Sequence, residues 1–290
     1  MKKFLLLCLV LFTTNIMYSQ TDTTFWKTGG DFSFQINQSY FDNWAAGGER
    51  SWAMGSILNG FAKYNDGVHS WDNTLFMGIG YIGTQGADAR KTDDKIELNS
   101  KYGRQAYKKF SYAAQMNFKT QMLEGIDVAN GLVLSDFMAP AYLNLSLGMD
   151  YKPDDRLSVF YSPLSGRIIF VMNDSLSDIG AYGVKKGQKI RPELGSYFVV
   201  QSKYELVTNV FYQSKLDMFW NYTPENADKD LFNIDVMWDN SLMFKVNSIL
   251  SFIITANIIY DHDIYSIDED GKKHWLQLKQ TLGAGITIKY

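Results

Sequence analysis

The feature that most constrains the fold is an alternation of apolar and polar residues with a period of two, which recurs along almost the whole chain. In the last segment apolar or aromatic residues fall on one face: Leu276, Leu278, Leu282, Ala284, Ile286, Ile288 and Tyr290. The residues between them, such as Lys279, Thr281 and Thr287, are polar or small. A strand separates two such sets onto opposite faces, whereas a helix would scatter them around its circumference. The pattern predicts strands with one apolar and one polar face.

The number of alternating segments and the lengths of their connections predict a barrel. Nine segments are clear and three are weaker (94–106, 156–162 and 195–204), which makes twelve. Short turns near 64–68, 106–109, 152–156, 203–206 and 246–249 alternate with longer loops at 41–50, 83–93, 123–141, 163–194, 221–230 and 261–274. Short periplasmic turns, long extracellular loops and an even strand number are typical of bacterial outer-membrane barrels. We therefore predict an all-β fold: a transmembrane antiparallel up-and-down barrel of about twelve strands spanning 31–290.

Aromatic residues support the membrane interpretation over a soluble β-sandwich, which also alternates. They make up 15% of the chain, and many fall near the predicted strand ends, for example Trp52, Trp71 and Trp238. Such rings favour the two membrane interfaces. The chain also contains no apolar run beyond the N-terminus that approaches the length of a transmembrane helix.

The N-terminus predicts export. Lys2 and Lys3 precede the apolar run 4–12, and a small residue, Ser19, lies near a plausible cleavage point, so we assign 1–20 as a Sec-type signal peptide. Residues 21–30 form a short periplasmic lead-in. Loss of Lys2 and Lys3 leaves 26 basic against 31 acidic residues, a net charge of −5, which indicates no basic surface for nucleic acid. The predicted location is the outer membrane of a Gram-negative bacterium.

The last residue, Tyr290, follows apolar residues at alternate positions. This ending is similar to the terminal signal that the barrel-assembly machinery recognises on outer-membrane proteins. Besides membrane lipid, that machinery is the partner we expect, and small solutes are a further possibility.

Two motifs carry a family resemblance: 37–48, which contains Trp44, Gly47 and Gly48, and 161–166, which contains Ser162 and Pro163. Together they resemble a family of Bacteroidota outer-membrane barrels known only as a domain of unknown function. The resemblance implies the fold and the location and transfers no activity. We expect both motifs to lie in loops.

The polar face of the strands defines a predicted lumen. The residues that we assign to it are Lys63, Lys101, Gln115, Asn117, Lys119, Asp150, Lys215, Asp217, Asp235, Asp239, Lys245, Thr255, Asn257 and Lys279. Mixed charge fits a water-filled interior, and it also fits an interior closed by ion pairs. Barrels of eight strands are packed solid and those of sixteen to eighteen hold a channel, so twelve leaves both interpretations open.

Three functions remain after this reading: a narrow channel or binding barrel for small solutes, an accessory protein for envelope assembly or secretion, and a barrel enzyme. An enzyme would depend on His262 or His274, which flank the last long loop. No cofactor or metal site is predicted. The apolar run 168–172 inside loop 163–194 either pairs with 181–190 as an extension of the wall or folds into the lumen.

Overall fold

The computed structural model describes residues 25–42, 49–127, 130–224, 233–262, 265–268, 271–274 and 276–290. The predicted signal peptide and the motif residues Trp44, Gly47 and Gly48 lie outside these ranges. Twelve strands of the described chain form the barrel: β1 (Trp26–Ser39), β2 (Ser51–Asn65), β3 (His69–Thr84), β4 (Arg90–Tyr107), β5 (Phe110–Thr120), β6 (Ala141–Asp154), β7 (Leu157–Phe170), β8 (Ile190–Val207), β9 (Val210–Asn221), β10 (Ile234–Lys245), β11 (Leu250–Tyr260) and β12 (Gln277–Lys289).

Each strand pairs antiparallel with the next along the chain, and β12 pairs with β1 to close the ring. The predicted twelve-stranded up-and-down barrel is confirmed. The remaining secondary structure lies in the long loops: the strand pairs Gly125–Ile126 with Val133–Ser135 and Tyr265–Asp268 with Gly271–His274, the helix Asp174–Ile179 and the 3-10 turn Ala181–Gly183. No helix in the described ranges is long and apolar enough to cross a membrane.

The turn between β2 and β3 shows how local chemistry sets a short connection. Gly67 has a φ of +90°, a conformation that favours glycine, and its N–H donates to Asn65 Oδ1 at 2.9 Å. The Asp66 carboxylate accepts from the backbone N–H groups of His69 (2.6 Å) and Val68 (2.9 Å). These two bonds lower the pKa of Asp66 below its usual range, because they stabilise the charged form.

The expectation for the loop 163–194 was wrong in its bounds. β7 continues to Phe170 and β8 begins at Ile190, so the connection covers only 171–189. Ile168–Phe170 of the apolar run extend the barrel wall by pairing with Ile190–Pro192, so the partner segment begins where the expected 181–190 ends. Ser162 and Pro163 accordingly lie in strand β7 and not in a loop.

An irregularity in β7 explains why the sequence concealed this strand. The register shifts near Pro163 on both sides, against β6 and against β8. Such a bulge accommodates a proline and resets the alternation, so the pattern breaks at the motif. Gly148 on β6 allows the close approach, because a Cβ there would lie 2.0 Å from the Tyr161 carbonyl oxygen.

The outer face of the barrel is apolar. Large apolar side chains exposed on it include Leu145 (49%), Leu147 (68%), Leu164 (58%) and Leu278 (64%). Aromatic residues near the strand ends are exposed beside them, among them Trp52, Trp71, Tyr151, Trp220, Tyr222 and Trp238. All of the barrel strands reach or exceed the length of about 9–11 residues that spans a bilayer. The outer face therefore fits hydrocarbon bounded by two interfacial aromatic zones.

Candidate functional site

Six charged side chains meet in the middle of the lumen and form what we call the central cluster. It consists of Lys95 and Glu97 on β4, Lys119 on β5, Lys215 and Asp217 on β9, and Asp239 on β10. Lys95 Nζ lies 2.9 Å from Glu97 Oε2 and 3.3 Å from Asp239 Oδ2. Asp217 Oδ2 is 3.2 Å from Lys119 Nζ and 3.1 Å from Lys215 Nζ, and Lys215 also contacts Glu97. Three ammonium groups therefore balance three carboxylates.

The central cluster joins opposite walls of the barrel. β4 and β10 are six positions apart in a ring of twelve strands, so the pair between Lys95 and Asp239 spans the lumen. Each carboxylate also accepts a hydrogen bond from a neutral side chain. Asn117 Nδ2 donates to Glu97 at 2.9 Å, Tyr197 Oη to Asp217 at 2.6 Å and Asn257 Nδ2 to Asp239 at 2.7 Å. Together with the ion pairs, these hydrogen bonds hold the two walls at a fixed separation.

A second charged group lies nearer the long loops and centres on Arg167. Arg167 Nε lies 2.5 Å from Glu193 Oε2, and its Nη1 lies 2.6 Å from Asp235 Oδ2. Its guanidinium stacks over the Phe219 ring at 4.0 Å, and Arg191 Nη2 lies 2.9 Å from Glu193 Oε1. Nearer the short turns, Lys101 Nζ pairs with Asp150 Oδ1 at 2.7 Å and also donates to Ser158 Oγ.

The two halves of the inner face differ in packing. In the packed half, formed by β4–β9, a buried apolar cluster of Ala113, Phe160, Tyr197, Val199 and Phe219 fills the lumen side. Inward polar residues there, such as Asn99, Gln115, Asn117, Ser146 and Ser162, are buried as well.

The accessible half is formed by β1–β3 and β10–β12. Many of its inward residues are only half-buried, including Gln35, Gly55, Ile57, Asn59, Thr255, Asn257 and Thr281. Its buried inward positions carry small residues (Ser33, Gly78, Gly80, Ser251, Gly283, Gly285, Thr287) with the exception of Ile253. The free space in the lumen therefore lies off centre, along this half of the wall.

The other predicted lumen residues are distributed among these features. Gln115 Nε2 donates to Asn99 Oδ1 at 3.0 Å, and the hydroxyls of Thr255 and Thr281 are 2.5 Å apart. Lys245 Nζ lies 4.3 Å from the centre of the Phe211 ring, and Lys63 Nζ lies 5.9 Å from that of Phe61. Lys279 donates to the Thr92 carbonyl at 2.9 Å and contacts Asp93 across the lumen.

Sequence reasoning missed several residues of these groups. Lys95 and Glu97 alternate with Ile96 and Leu98, so the period-two rule could have found them in the weak segment 94–106. Arg167 was missed because the bulge at Pro163 placed it in an apparent loop. The inward aromatic residues Phe160 and Phe219 give no signal, since an apolar side chain in such a strand is assigned to lipid by default.

The two longest described loops pack over one side of the mouth. Val171, Leu176 and Val184 from loop 171–189 bury against Ala139 and the inward-facing Ile169, with Tyr142 and Tyr182 beside them. Tyr182 Oη donates to the Leu134 carbonyl at 2.5 Å, and burial raises the pKa of this phenol. This cap covers the mouth beside β6–β8, which is the side of the packed half.

The described contacts of His262 are those of a loop residue. Its backbone N–H donates to Asp235 Oδ1 at 3.0 Å, and its ring lies 6.5 Å from that of Tyr260. The side chain of His274 lies outside the part of the chain that the structure describes. Within the described ranges, no group of three or more His, Cys, Asp or Glu residues is arranged to hold a metal ion.

A closed antiparallel ring with an apolar outer belt, a polar interior and long loops at one end defines the class: an outer-membrane β-barrel. Within that class, residues 36–126 match a family described as "Protein of unknown function (DUF3078)". The predicted resemblance to a family of unknown function is thereby confirmed. The second motif, around Pro163, lies outside the matched range.

Solved structures with the same type of fold are distant in sequence. The COG4313 outer membrane channel from Pseudomonas putida F1 shares 9% identity over 95% of this chain and 100% of its own, with a TM-score of 0.42. The translocator domain of the autotransporter NalP from Neisseria meningitidis shares 11% over 94% and 90%, with a TM-score of 0.36. The outer membrane channel DcaP of Acinetobacter baumannii shares 8% over 91% and 96%, with a TM-score of 0.32. No curated protein matches the chain.

Proposed function

We propose that this barrel conducts or holds small polar solutes in a narrow, off-centre passage along the accessible half. The observation that carries the proposal is the asymmetry of the inner face: the inward residues of the packed half are buried, whereas many inward residues of the opposite half are only half-buried.

The central cluster sets the size of solute that fits. Its ion pair between Lys95 and Asp239 links β4 to β10 across the lumen. The free space lies on the side of this link that is bounded by β11, β12 and β1–β3. Hydroxyl and amide groups at Thr255, Thr281 and Asn257 line this space and can replace part of the hydration shell of a solute. The passage therefore suits small hydrophilic molecules and not folded proteins.

Gly55 offers a direct test of the passage. It faces inward in the accessible half, and a Cβ there would meet nothing closer than the Ile79 carbonyl oxygen at 3.6 Å. Gly55→Trp should place an indole in the passage and reduce the single-channel conductance of the refolded protein in a planar bilayer. The matched control is Gly166→Trp on the outer face of β7, where a Cβ meets nothing within 4 Å.

We expect wild-type conductance for the Gly166→Trp variant and a clear reduction for the Gly55→Trp variant. Equal conductance in both variants would place the passage elsewhere. A wild-type protein that folds without conducting and co-purifies with an envelope component would favour the accessory function instead.

A further inference from the structure

The contact between β1 and β12, which we call the seam, is paired along only part of its length. These two strands share only six register pairs, from Asp31 with Lys289 to Ile36 with Ala284, whereas the other neighbouring barrel strands share between 10 and 15. Above Ile36, residues 37–39 of β1 have partners on β2 and none on β12. On the other side, Gln277–Gly283 pair with β11 and not with β1.

The free edge of β12 points its hydrogen-bonding groups at this gap. Tyr290 exchanges both backbone bonds with Gly30, at 3.0 and 3.1 Å. Because such pairs alternate along antiparallel strands, the even-numbered residues of β12 direct their N–H and C=O groups toward β1. Leu278, Gln280 and Leu282 are even-numbered residues beyond the last register pair.

The gap lies within the membrane-spanning wall. Leu278 is the register partner of Ile258 and Leu282 that of Ile254, both below Tyr260 at the outer end of β11. Leu278 and Leu282 are 64% and 66% exposed on the outer face. Among the described residues, no backbone group of β1 pairs with Leu278, Gln280 or Leu282. An open sheet edge facing hydrocarbon is strongly unfavourable, so a hydrogen-bonding partner is favoured here over lipid tails. Two polar side chains, Gln38 and Gln280, stand exposed on the outer face at the same place.

Below the gap, side-chain hydrogen bonds join β12 to β1 and β2. At the gap itself, a side chain of β12 reaches across the lumen to β4. Tyr290 Oη reaches across β1 to the Asn59 carbonyl at 3.2 Å, and the hydroxyls of Ser33 and Thr287 are 2.9 Å apart. On the inner side of the gap Lys279 crosses the lumen to Thr92 and Asp93 on β4. The gap therefore lies between the accessible half and the outer leaflet, at the level of this crossing.

We propose that the upper β1–β12 seam is a lateral site for an acyl-chain amphiphile from the outer leaflet. Its hydrogen-bonding head meets the free edge of β12 and the amides of Gln38 and Gln280. Its tail lies against Ile36, Leu278 and Leu282. A membrane lipid and a free fatty acid share this chemistry. The site goes beyond the proposed passage and requires only the barrel, so a barrel that carries no current would retain it.

The first test measures the gap itself by disulfide formation in detergent-free vesicles. Ser33→Cys with Thr287→Cys joins register partners in the zipped part of the seam, and Asn37→Cys with Gly283→Cys joins the corresponding positions in the gap. We expect rapid and complete oxidation of the first pair and slow, partial oxidation of the second. Equal rates would show a closed seam and overturn the proposal.

The second test detects the amphiphile. A bimane fluorophore on Thr281→Cys faces inward beside the gap, and one on Ala53→Cys faces the same lumen from β2, where it is paired on both sides. Acyl chains brominated near the head group are supplied either as phospholipid or as free fatty acid, and bromine quenches the fluorophore on contact.

Several-fold stronger quenching at Thr281 than at Ala53 is the expected result, and the arm in which it occurs identifies the source of the chain. Equally weak quenching at both positions in both arms would overturn the proposal. So would crosslinking between two copies through Gln280→Cys without quenching, because a second barrel would then complete the edge.

Discussion

Replacing Glu97 with glutamine tests the central cluster most sharply. Glu97 contacts Lys95 at 2.9 Å, Lys215, and Lys119 at 3.9 Å, and it accepts from Asn117. Glu97→Gln keeps the shape and removes one of three carboxylates, so three ammonium groups face two. The side chains of Glu97 and Lys119 are only 9% and 10% exposed, so water compensates little of the imbalance.

Breaking a buried ion pair by removing one partner costs roughly 3–5 kcal/mol. The side chains of Lys95 and Asp239 are 31% and 27% exposed, so water screens part of the network. We therefore expect Glu97→Gln to lower the free energy of unfolding by about 3 kcal/mol. Glu97→Gln combined with Lys215→Met restores a balance of two charges of each sign. The double variant should therefore recover most of the lost free energy of unfolding.

The free energy of unfolding is measured by urea titration in lipid vesicles, followed by tryptophan fluorescence, for both single variants and the double variant. Arg156→Gln provides an exposed control, since the Arg156 and Asp154 side chains are 65% and 42% exposed and their pair adds little. A Glu97→Gln protein as stable as wild type, or a double variant no more stable than Glu97→Gln, would refute the ion-paired account of the lumen.

Two further predictions concern the wall, and both are read from urea unfolding in vesicles. Ile254 faces outward with Leu242 and Leu282 as register partners. Ile254→Arg should therefore lower the free energy of unfolding by roughly 2–4 kcal/mol, and the inward Thr255→Arg by clearly less. Equal losses would mean that the register is shifted by one residue. Gly148→Ala forces a Cβ against the Tyr161 carbonyl oxygen and should lower the free energy of unfolding by roughly 1–3 kcal/mol. Gly166→Ala is the control, because its Cβ meets open space. An unchanged stability of Gly148→Ala would contradict the close approach at the bulge.

The barrel could be predicted from the sequence because its determinants are local. The alternation in β11 and β12 and the chemistry of the turn at Asn65–Gly67 each act over a few residues. Where a bulge resets the alternation, as at Pro163, local reasoning failed and the strand was assigned to a loop. Likewise β4 and β8, which looked weak in the sequence, are the longest strands of the barrel at 18 residues each.

The site was less predictable because its geometry is set across the ring. The alternation indicated which polar residues share a face, but it carried no information on which strands lie opposite each other. The pair of Lys95 with Asp239 joins residues 144 positions apart and depends on the strand number and tilt together. The inward Phe160 and Tyr197 follow no local rule, because they are apolar or aromatic residues that fill one half of a lumen.

The measurement that tests the account most directly is the accessibility of single cysteines along the lumen. Ile57→Cys and Thr255→Cys lie in the accessible half, and Gln115→Cys and Ser146→Cys lie in the packed half, all on a Cys8→Ser background. With a water-soluble methanethiosulfonate reagent on the refolded barrel, we predict rapid modification of the first two, with a change in conductance, and slow modification of the second two. Equal rates in both halves would contradict an off-centre passage.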